Sequence, residues 1–473
     1  MAPGSDNHHE EQVTFVSWRE FFGQVSLPAL SFVCLAVWLH AADALIVATM
    51  LPSIVVTIGG AGLVSWSIAL YEIASVVAGA VSALVTLRYG MRTPMFLAAL
   101  AFGLGCFLSA AAPIMPVMLM GRVLQGLGGG GLVAMGFVAV GVIFLRRYTA
   151  RAMAAVSTFW GVSAFIGPLI GSFFVEFATW RWGFSFFGMQ AVVLSIWVVM
   201  RPDPLPAQNS DQMRLPWRRL ALLCLAVLLV SYAGVRVAWV PTTLCLLGGI
   251  ACLLLFLHAD HKATESRLLP YRAFDVRQQS GAALLMILSL TMATIAITAL
   301  GPLLVTTIHS ASALSAGYIV ACSSIGWTVM AVGVSGFPEK LDRLMIAVGI
   351  GVVLTSVIGF LYAVPNGPLW LIALFAALEG GGFGMAWAFI LRRATALSDP
   401  VEQRRISGAI PTVQRLGYAL GAAYIGIMAN AAGMAFMSTP SDGIRVAQFV
   451  FLSCLPLAAV GVMAMLMLVR QPN

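Results

Sequence analysis

The chain is short of charge. Only 9% of its 473 residues are Asp, Glu, Lys or Arg, against roughly 25% in soluble globular domains, and the mean hydropathy is +0.96. That composition excludes an ordinary soluble protein and points to an integral membrane chain. Histidine is scarce as well, six in all with none spaced as metal ligands, which removes the usual basis for a metal centre or a nucleophile–base pair. The cysteines, Cys34, Cys106, Cys224, Cys245, Cys252, Cys322 and Cys454, all lie in apolar stretches and never as Cys-x-x-Cys. They read as small hydrophobes, with no disulfide or metal implied. A Gly-x-x-x-x-Gly-Lys loop is missing, so nucleotide drive has no support, and no cofactor is expected. The longest hydrophilic segments, 201–219 and 260–279, are too short for a soluble signalling domain. An intramembrane enzyme and a sensor are therefore both disfavoured.

What the chain does have is apolar runs of membrane-spanning length, about 20 residues each. They fall at 28–57, 62–87, 93–112, 114–145, 150–177, 181–200, 217–235, 238–258, 280–305, 313–335, 343–362, 367–392, 405–432 and 445–469. The pattern predicts an all-α bundle of fourteen transmembrane helices. Residues 1–26 read as a tail followed by an interfacial helix, since Met1–Val13 is polar and lacks the basic start of a cleavable signal, while Phe15, Trp18 and Phe22 share a helix face.

The formal charge of +8 resembles a nucleic-acid footprint until the basic residues are placed. With the N-terminus inside, 21 of the 26 fall on the cytoplasmic side, 3 outside (Arg181, Arg236, Arg445) and 2 within spans (Arg122, Arg415). The surplus is an orientation signal, so both termini are expected in the cytoplasm and no nucleic-acid partner is implied. The excess of Arg over Lys points to a GC-rich bacterial source, hence a bacterial inner membrane.

The chain also repeats itself. Arg151 to Gly167 and Arg405 to Gly421 are both sixteen apart and open spans five and eleven, and Glu379-Gly-Gly-Gly382 in span ten stands where span four has Gln125-Gly-Leu-Gly128. Two six-helix bundles are expected, at 27–200 and 280–473, separated by a linker with two extra helices at 201–279.

Four motifs make the sequence resemble the major facilitator superfamily, and within it the fourteen-span drug:proton antiporter family. Gly121, Arg122, Gln125, Gly126, Gly128 and Gly129 are similar to its fourth-span motif. Gly167-Pro168-Leu-Ile-Gly171, followed by Trp180-Arg181-Trp182, resembles its antiporter motif, with Ser163 and Ser172 where the family prefers Gly. Asp43 through Pro52 matches its first span, and Ser407-Gly408 through Gly421 its eleventh, with Gln414-Arg415 in inverted order. The loop after span two keeps Arg88, Gly90 and Arg92 but has Ala83 and Leu87 where the family has Gly and Asp; the second half keeps Asp342-Arg343. The resemblance implies a proton-coupled exporter of a small amphipathic drug or metabolite, organic cations included, working by alternating access; the alternative is a proton-coupled symporter importing a small organic solute. Arg88, Gly90, Arg92, Gly167, Pro168, Gly171, Asp342 and Arg343 would form the gates. Partners implied are the bilayer, the small-molecule substrate and, as for some relatives, a periplasmic adaptor protein, the carrier itself being a monomer.

Ionisable groups deep in apolar runs are costly and therefore informative. Asp43, Glu72, Arg122 and Glu379 are the candidate proton-coupling residues. Asp43 beside Arg122 suits either a coupling site or a permanent structural pair, and His40 one turn earlier either a proton relay or a satisfied lining residue. Glu72 is this chain's own addition to the family pattern; it reads as a cavity carboxylate or as one bonded to a neighbouring helix. Glu379 leads Phe383 and Trp387 down one face of span ten, where an acid beside aromatics suits an organic cation or a pair with Arg415. Glu72, Tyr71, Gln125, Glu379, Phe383, Trp387, Gln414, Arg415 and Tyr418 are the candidate substrate-binding residues.

Overall fold

The computed structural model describes residues 18–24, 27–144, 146–200, 216–235, 237–263, 267–334, 337–396 and 400–471. The proposed N-terminal tail and most of the 201–219 linker lie outside these. Fifteen α-helices and no strand are found among the described residues: α1 (Trp18–Gln24), α2 (Leu27–Ile58), α3 (Val64–Tyr89), α4 (Arg92–Ala111), α5 (Met115–Ile143), α6 (Arg146–Phe177), α7 (Trp180–Met200), α8 (Trp217–Ala233), α9 (Trp239–Lys262), α10 (Gln279–His309), α11 (Ala313–Val334), α12 (Asp342–Asn366), α13 (Leu369–Thr395), α14 (Pro400–Ala431) and α15 (Pro440–Arg470). Fourteen of them are long, in the order expected of the fourteen apolar runs. Twelve spans are long and apolar enough on their own to cross a membrane; α8 is only 17 residues long, and α14 carries the charges of Glu402, Arg404, Arg405 and Arg415. The chain is a multi-pass membrane protein.

The packing repeats. In the first half α2 lies on α6, α3 on α5, and α4 on α5 and α7; in the second, α10 lies on α14, α11 on α13, and α12 on α13 and α15. The first half has an apolar core of its own, and the core of the second half extends to α8 and α9 and takes in Leu51 of α2 and Val64, Ala69, Ile73 and Val76 of α3. The halves meet along two symmetric seams, α3 with α14 and α6 with α11, so the fifth helix of each half lies on the second helix of the other.

Glycine sets how closely these helices approach. A Cβ at Gly126 or Gly130 of α5 would strike the α3 backbone at Tyr71 or Ser75, and one at Gly380 or Gly384 of α13 would strike the α11 backbone at Ser323 or Trp327. Two glycines four apart clear one helix face, letting backbones touch where no hydrophobic driving force exists between helices in lipid. Both repeats use the same device.

The extra pair α8–α9 is pinned by a buried ion pair that the sequence reading did not single out. Arg219 Nη1 donates to Asp260 Oδ1 at 2.5 Å, and the Asp260 carboxylate also accepts from Leu268 and Leu269 backbone N–H at 2.9 Å each. At the N-terminus, Phe21 of α1 is buried against Phe144 and Tyr148 while Phe22 is half exposed.

Candidate functional site

Between the halves lies a cavity of about 430 Å³ walled by α2, α3, α5, α6, α10, α11, α13 and α14. It is sealed at the end that holds the α2–α3 turn, residues 59–63. There Asn430 of α14 donates to the carbonyls of Gly62 and Gly234 at 2.7 Å each, and Tyr318 of α11 donates to the Phe165 carbonyl of α6 at 3.1 Å. Gly317 lies against Thr49 and Pro168, and Gly426 against Ser65. Further along the same helices, Gly79, Gly161 and Gly408 have open space where a Cβ would sit.

Arg122 is 2% exposed, and both its Nε and its Nη1 are hydrogen-bonded. Its Nη1 donates to Asp43 Oδ2 at 2.6 Å and to Gln125 Oε1 at 2.5 Å, its Nε donates to the Ser67 carbonyl at 3.2 Å, and its guanidinium lies 4.3 Å from the centre of the Tyr71 ring. Arg122 and Gln125 are three apart on α5 and so share a face. The charge that looked out of place in a glycine-rich apolar run is thus matched by Asp43 across the α2–α5 contact.

A second charge pair joins the halves. Arg415 of α14 donates from Nη1 to Glu72 Oε2 at 3.2 Å and from Nη2 to His40 Nε2 at 2.8 Å. Guanidinium has donors only, so Nε2 must accept and the His40 proton sits on Nδ1. Nδ1 lies 2.7 Å from the Tyr71 hydroxyl, which it therefore reaches as a donor. Asp43, Arg122, Tyr71, His40, Arg415 and Glu72 form one connected polar chain, from a pair inside the first half to a pair shared between halves.

Of the candidate substrate-binding residues, Tyr71, Glu72, Glu379, Phe383, Gln414, Arg415 and Tyr418 line the cavity; Gln125 and Trp387 are not in its wall. Gln125 is turned away to hold Arg122 and to reach Ser109 Oγ at 3.4 Å. Trp387 sits behind Trp327, ring centres 5.3 Å apart, and it is Trp327 of α11, stacked on Phe383 at 6.0 Å, that faces the cavity. Arg415 pairs with Glu72, so a Glu379–Arg415 couple is not formed: Glu379 Oε2 is buried without a hydrogen-bond partner.

Among the candidate gate residues, Gly167 and Gly171 let α6 lie on Leu45, Ile46 and Thr49 of α2, and Pro168 meets Gly317 at the sealed end. Gly90 turns the chain from α3 to α4 with φ +76°, a conformation that favours glycine. Arg88 is exposed over the Tyr89 ring, and Arg92 donates to the Val199 carbonyl. Asp342 is paired with Arg392 of α13 rather than with its neighbour Arg343, which donates to the Gln471 carbonyl at 3.2 Å. Adjacent residues on a helix point about 100° apart, and α13 brings Arg392 to the carboxylate. Trp160, Ser323, Ser324, Thr294 and Thr298 also line the cavity. Uncharged and motif-free, they left no sequence signal beyond a helix face.

A family model described as Major Facilitator Superfamily matches residues 33–422. A probable multidrug-efflux transporter of Mycobacterium tuberculosis is 28% identical over 467 residues, covering 95% of each chain. An efflux pump of Gibberella moniliformis is 27% identical over 262 residues, covering 52% of this chain and 46% of the pump. Among solved structures, a nucleoside transporter superposes with a TM-score of 0.65 at 12% identity, covering 93% of this chain and 99% of its own. The xylose transporter of E. coli, in an inward open conformation, gives 0.60 at 14% identity, covering 93% and 95%.

Proposed function

The chain belongs to the major facilitator superfamily, and from that premise we propose that it is a proton-coupled exporter of small amphipathic compounds, a monomer that works by alternating access in a bacterial cytoplasmic membrane with both termini inside. The observation that carries the coupling half of this reading is the Asp43–Arg122 pair and the polar chain that ties it to Glu72 and Arg415 across the halves. The export direction rests on relatives described as efflux transporters.

In this mechanism a proton added to Asp43 removes the counter-charge of Arg122, whose other acceptors are neutral. The guanidinium then shifts its weight onto Tyr71 and Gln125. Tyr71 holds His40, and His40 holds Arg415, so the change reaches a side chain of the opposite half through one cation–π contact and two hydrogen bonds. Rocking about the centre exchanges the sealed end, built on Gly167, Pro168, Gly171 and their contacts, for a seal at the other end, where Arg88, Arg92, Asp342 and Arg343 stand.

Asp43→Asn is isosteric and keeps an acceptor for Arg122, so it is expected to fold while losing transport driven by a pH gradient. Reconstitution in liposomes with a pH-sensitive dye checks this: wild-type-like gradient-driven flux in that variant removes Asp43 from the coupling site. The same assay separates the alternative importer, because protons move with the substrate in a symporter and against it in an antiporter.

A further inference from the structure

We propose that the cavity meets the bilayer on one side only: a cleft between α6 and α11, flanked by Gly161, Ser324 and Thr328, admits membrane-dissolved amphipathic molecules, while the inserted helix α8 closes the matching cleft between α3 and α14. The route takes its physiological meaning from the exporter reading, on which it rests to that extent; its geometry comes from the packing alone.

The repeat puts the two seams in register. Tyr71 and Ser323 stand at equivalent places, each against a glycine of the fourth helix of its half, Gly126 or Gly380, and Arg151 to Gly167 on α6 matches Arg405 to Gly421 on α14. Glu72 therefore corresponds to Ser324, and Arg415 to Gly161. Where the α3–α14 seam has an ion pair at 3.2 Å, the α6–α11 seam has a small hydroxyl facing a bare glycine. Contact in that second seam runs from Pro168 and Gly317 to Ala164, Val320 and Ala321, and there it stops. Gly161 lies on the same face of α6 as Ala164 and Pro168, yet nothing stands within 4 Å of the place its Cβ would take.

The cover differs in the same sense. α8 packs on both α3 and α14, and Ile73 and Val76 of α3 share an apolar core with Leu223, Val227 and Val230 of α8. Val76 is buried, whereas its counterpart Thr328 is exposed and also lines the cavity. Among the described residues no helix packs on both α6 and α11 from the lipid side, where Phe165 and Val329 are exposed. Charge explains the difference. An ion pair facing hydrocarbon is costly, so the seam that carries Glu72 and Arg415 needs a cover. A cleft of Gly, Ser and Thr does not, because such hydroxyls bond to their own helix, as Thr328 Oγ1 does to the Ser324 carbonyl at 2.9 Å. A molecule crossing this cleft passes from Phe165 and Val329 to the hydroxyls of Ser323 and Ser324, then to the polar chain of the cavity. That gradient suits an amphipathic compound entering with its polar end first.

The test uses the full-length protein in lipid nanodiscs, with its seven cysteines replaced and Thr298→Cys as a reporter in the cavity wall. Two reagents label it: N-(1-pyrenyl)maleimide, which dissolves in the bilayer, and 2-(trimethylammonium)ethyl methanethiosulfonate, which is charged and stays in water. Gly161→Phe fills the cleft and is expected to slow the maleimide about tenfold or more while the charged reagent keeps its rate to within about threefold. Gly79→Phe puts the same ring into the α3–α14 seam, already closed to lipid by α8, and is expected to leave both rates within about threefold. Unchanged maleimide labelling in Gly161→Phe overturns the proposal, as does equal slowing of the two reagents or a matching loss in Gly79→Phe. If Gly161→Phe does not give a monodisperse protein, Ser324→Phe decides by the same outcomes. Labelling needs neither a proton gradient nor transport, so the exporter reading can fail in liposomes while the cleft stands, and the reverse.

Discussion

Arg122 touches Asp43, Gln125, the Ser67 carbonyl and the Tyr71 ring from within a wall that excludes water. Removing one member of such a buried pair strands the other, which costs about 3–5 kcal/mol, whereas removing both charges together is close to neutral. Arg122→Gln is therefore expected to lower the unfolding temperature in detergent sharply, and the double variant Asp43→Asn/Arg122→Gln to recover most of the loss. Additive effects of the two sites in that cycle would show that the pair is not the unit that holds α2 to α5. At this scale the sequence was informative where a charge sat in an apolar run: Asp43, Arg122 and Glu379 are buried and Glu72 is partly buried, and Arg122, Glu72 and Glu379 line one cavity. It was silent on who pairs with whom, because Arg415 is 343 positions from Glu72 and nothing local selects Glu72 over Glu379 as its partner.

The helices themselves were legible to within about five residues at each end, since a lipid-spanning segment must be long, apolar and internally hydrogen-bonded, and charge or Pro/Gly marks its ends. What periodicity could not convey was the face each helix turns to the cavity. Trp327 lines it and Trp387 stands behind, a distinction made by the depth at which α13 meets α11. That depth is set by Gly380 and Gly384. Gly380→Ala places a methyl against the Ser323 backbone, where neither helix can yield, and overpacking of this kind costs typically 1–3 kcal/mol. Gly408→Ala on α14 has open space around it and gains up to about 1 kcal/mol of helix propensity. Thermal unfolding of the two variants is expected to move in opposite directions. Equal shifts would mean that glycine acts here only through propensity.

Two symmetric seams join the halves, and both are closed at the end that holds residues 59–63. Close approach along them depends on Gly317 beside Thr49 and Gly426 beside Ser65, with Asn430 tying α14 to the α2–α3 turn and to the end of α8. In the proposed alternating-access cycle the seams part at this end, so bulk at Gly426, which lies against Ser65 in the sealed state, acts on one conformation and spares the other. A ligand or substitution shifts a two-state equilibrium by its differential effect on the two states, tenfold for each 1.4 kcal/mol. Gly426→Val, at an overpacking cost of about 1–3 kcal/mol, is thus expected to raise the population open at this end by roughly five- to a hundredfold where the sealed state dominates. Thr298→Cys, in the cavity wall, reports on it once the seven native cysteines, all free thiols, have been replaced. A membrane-impermeant thiol reagent added from the side of residues 59–63 is expected to label Cys at 298 many times faster in the Gly426→Val background. An unchanged labelling rate would show that the α3–α14 seam does not control access, and would leave the α6–α11 seam at Gly317 as the gate.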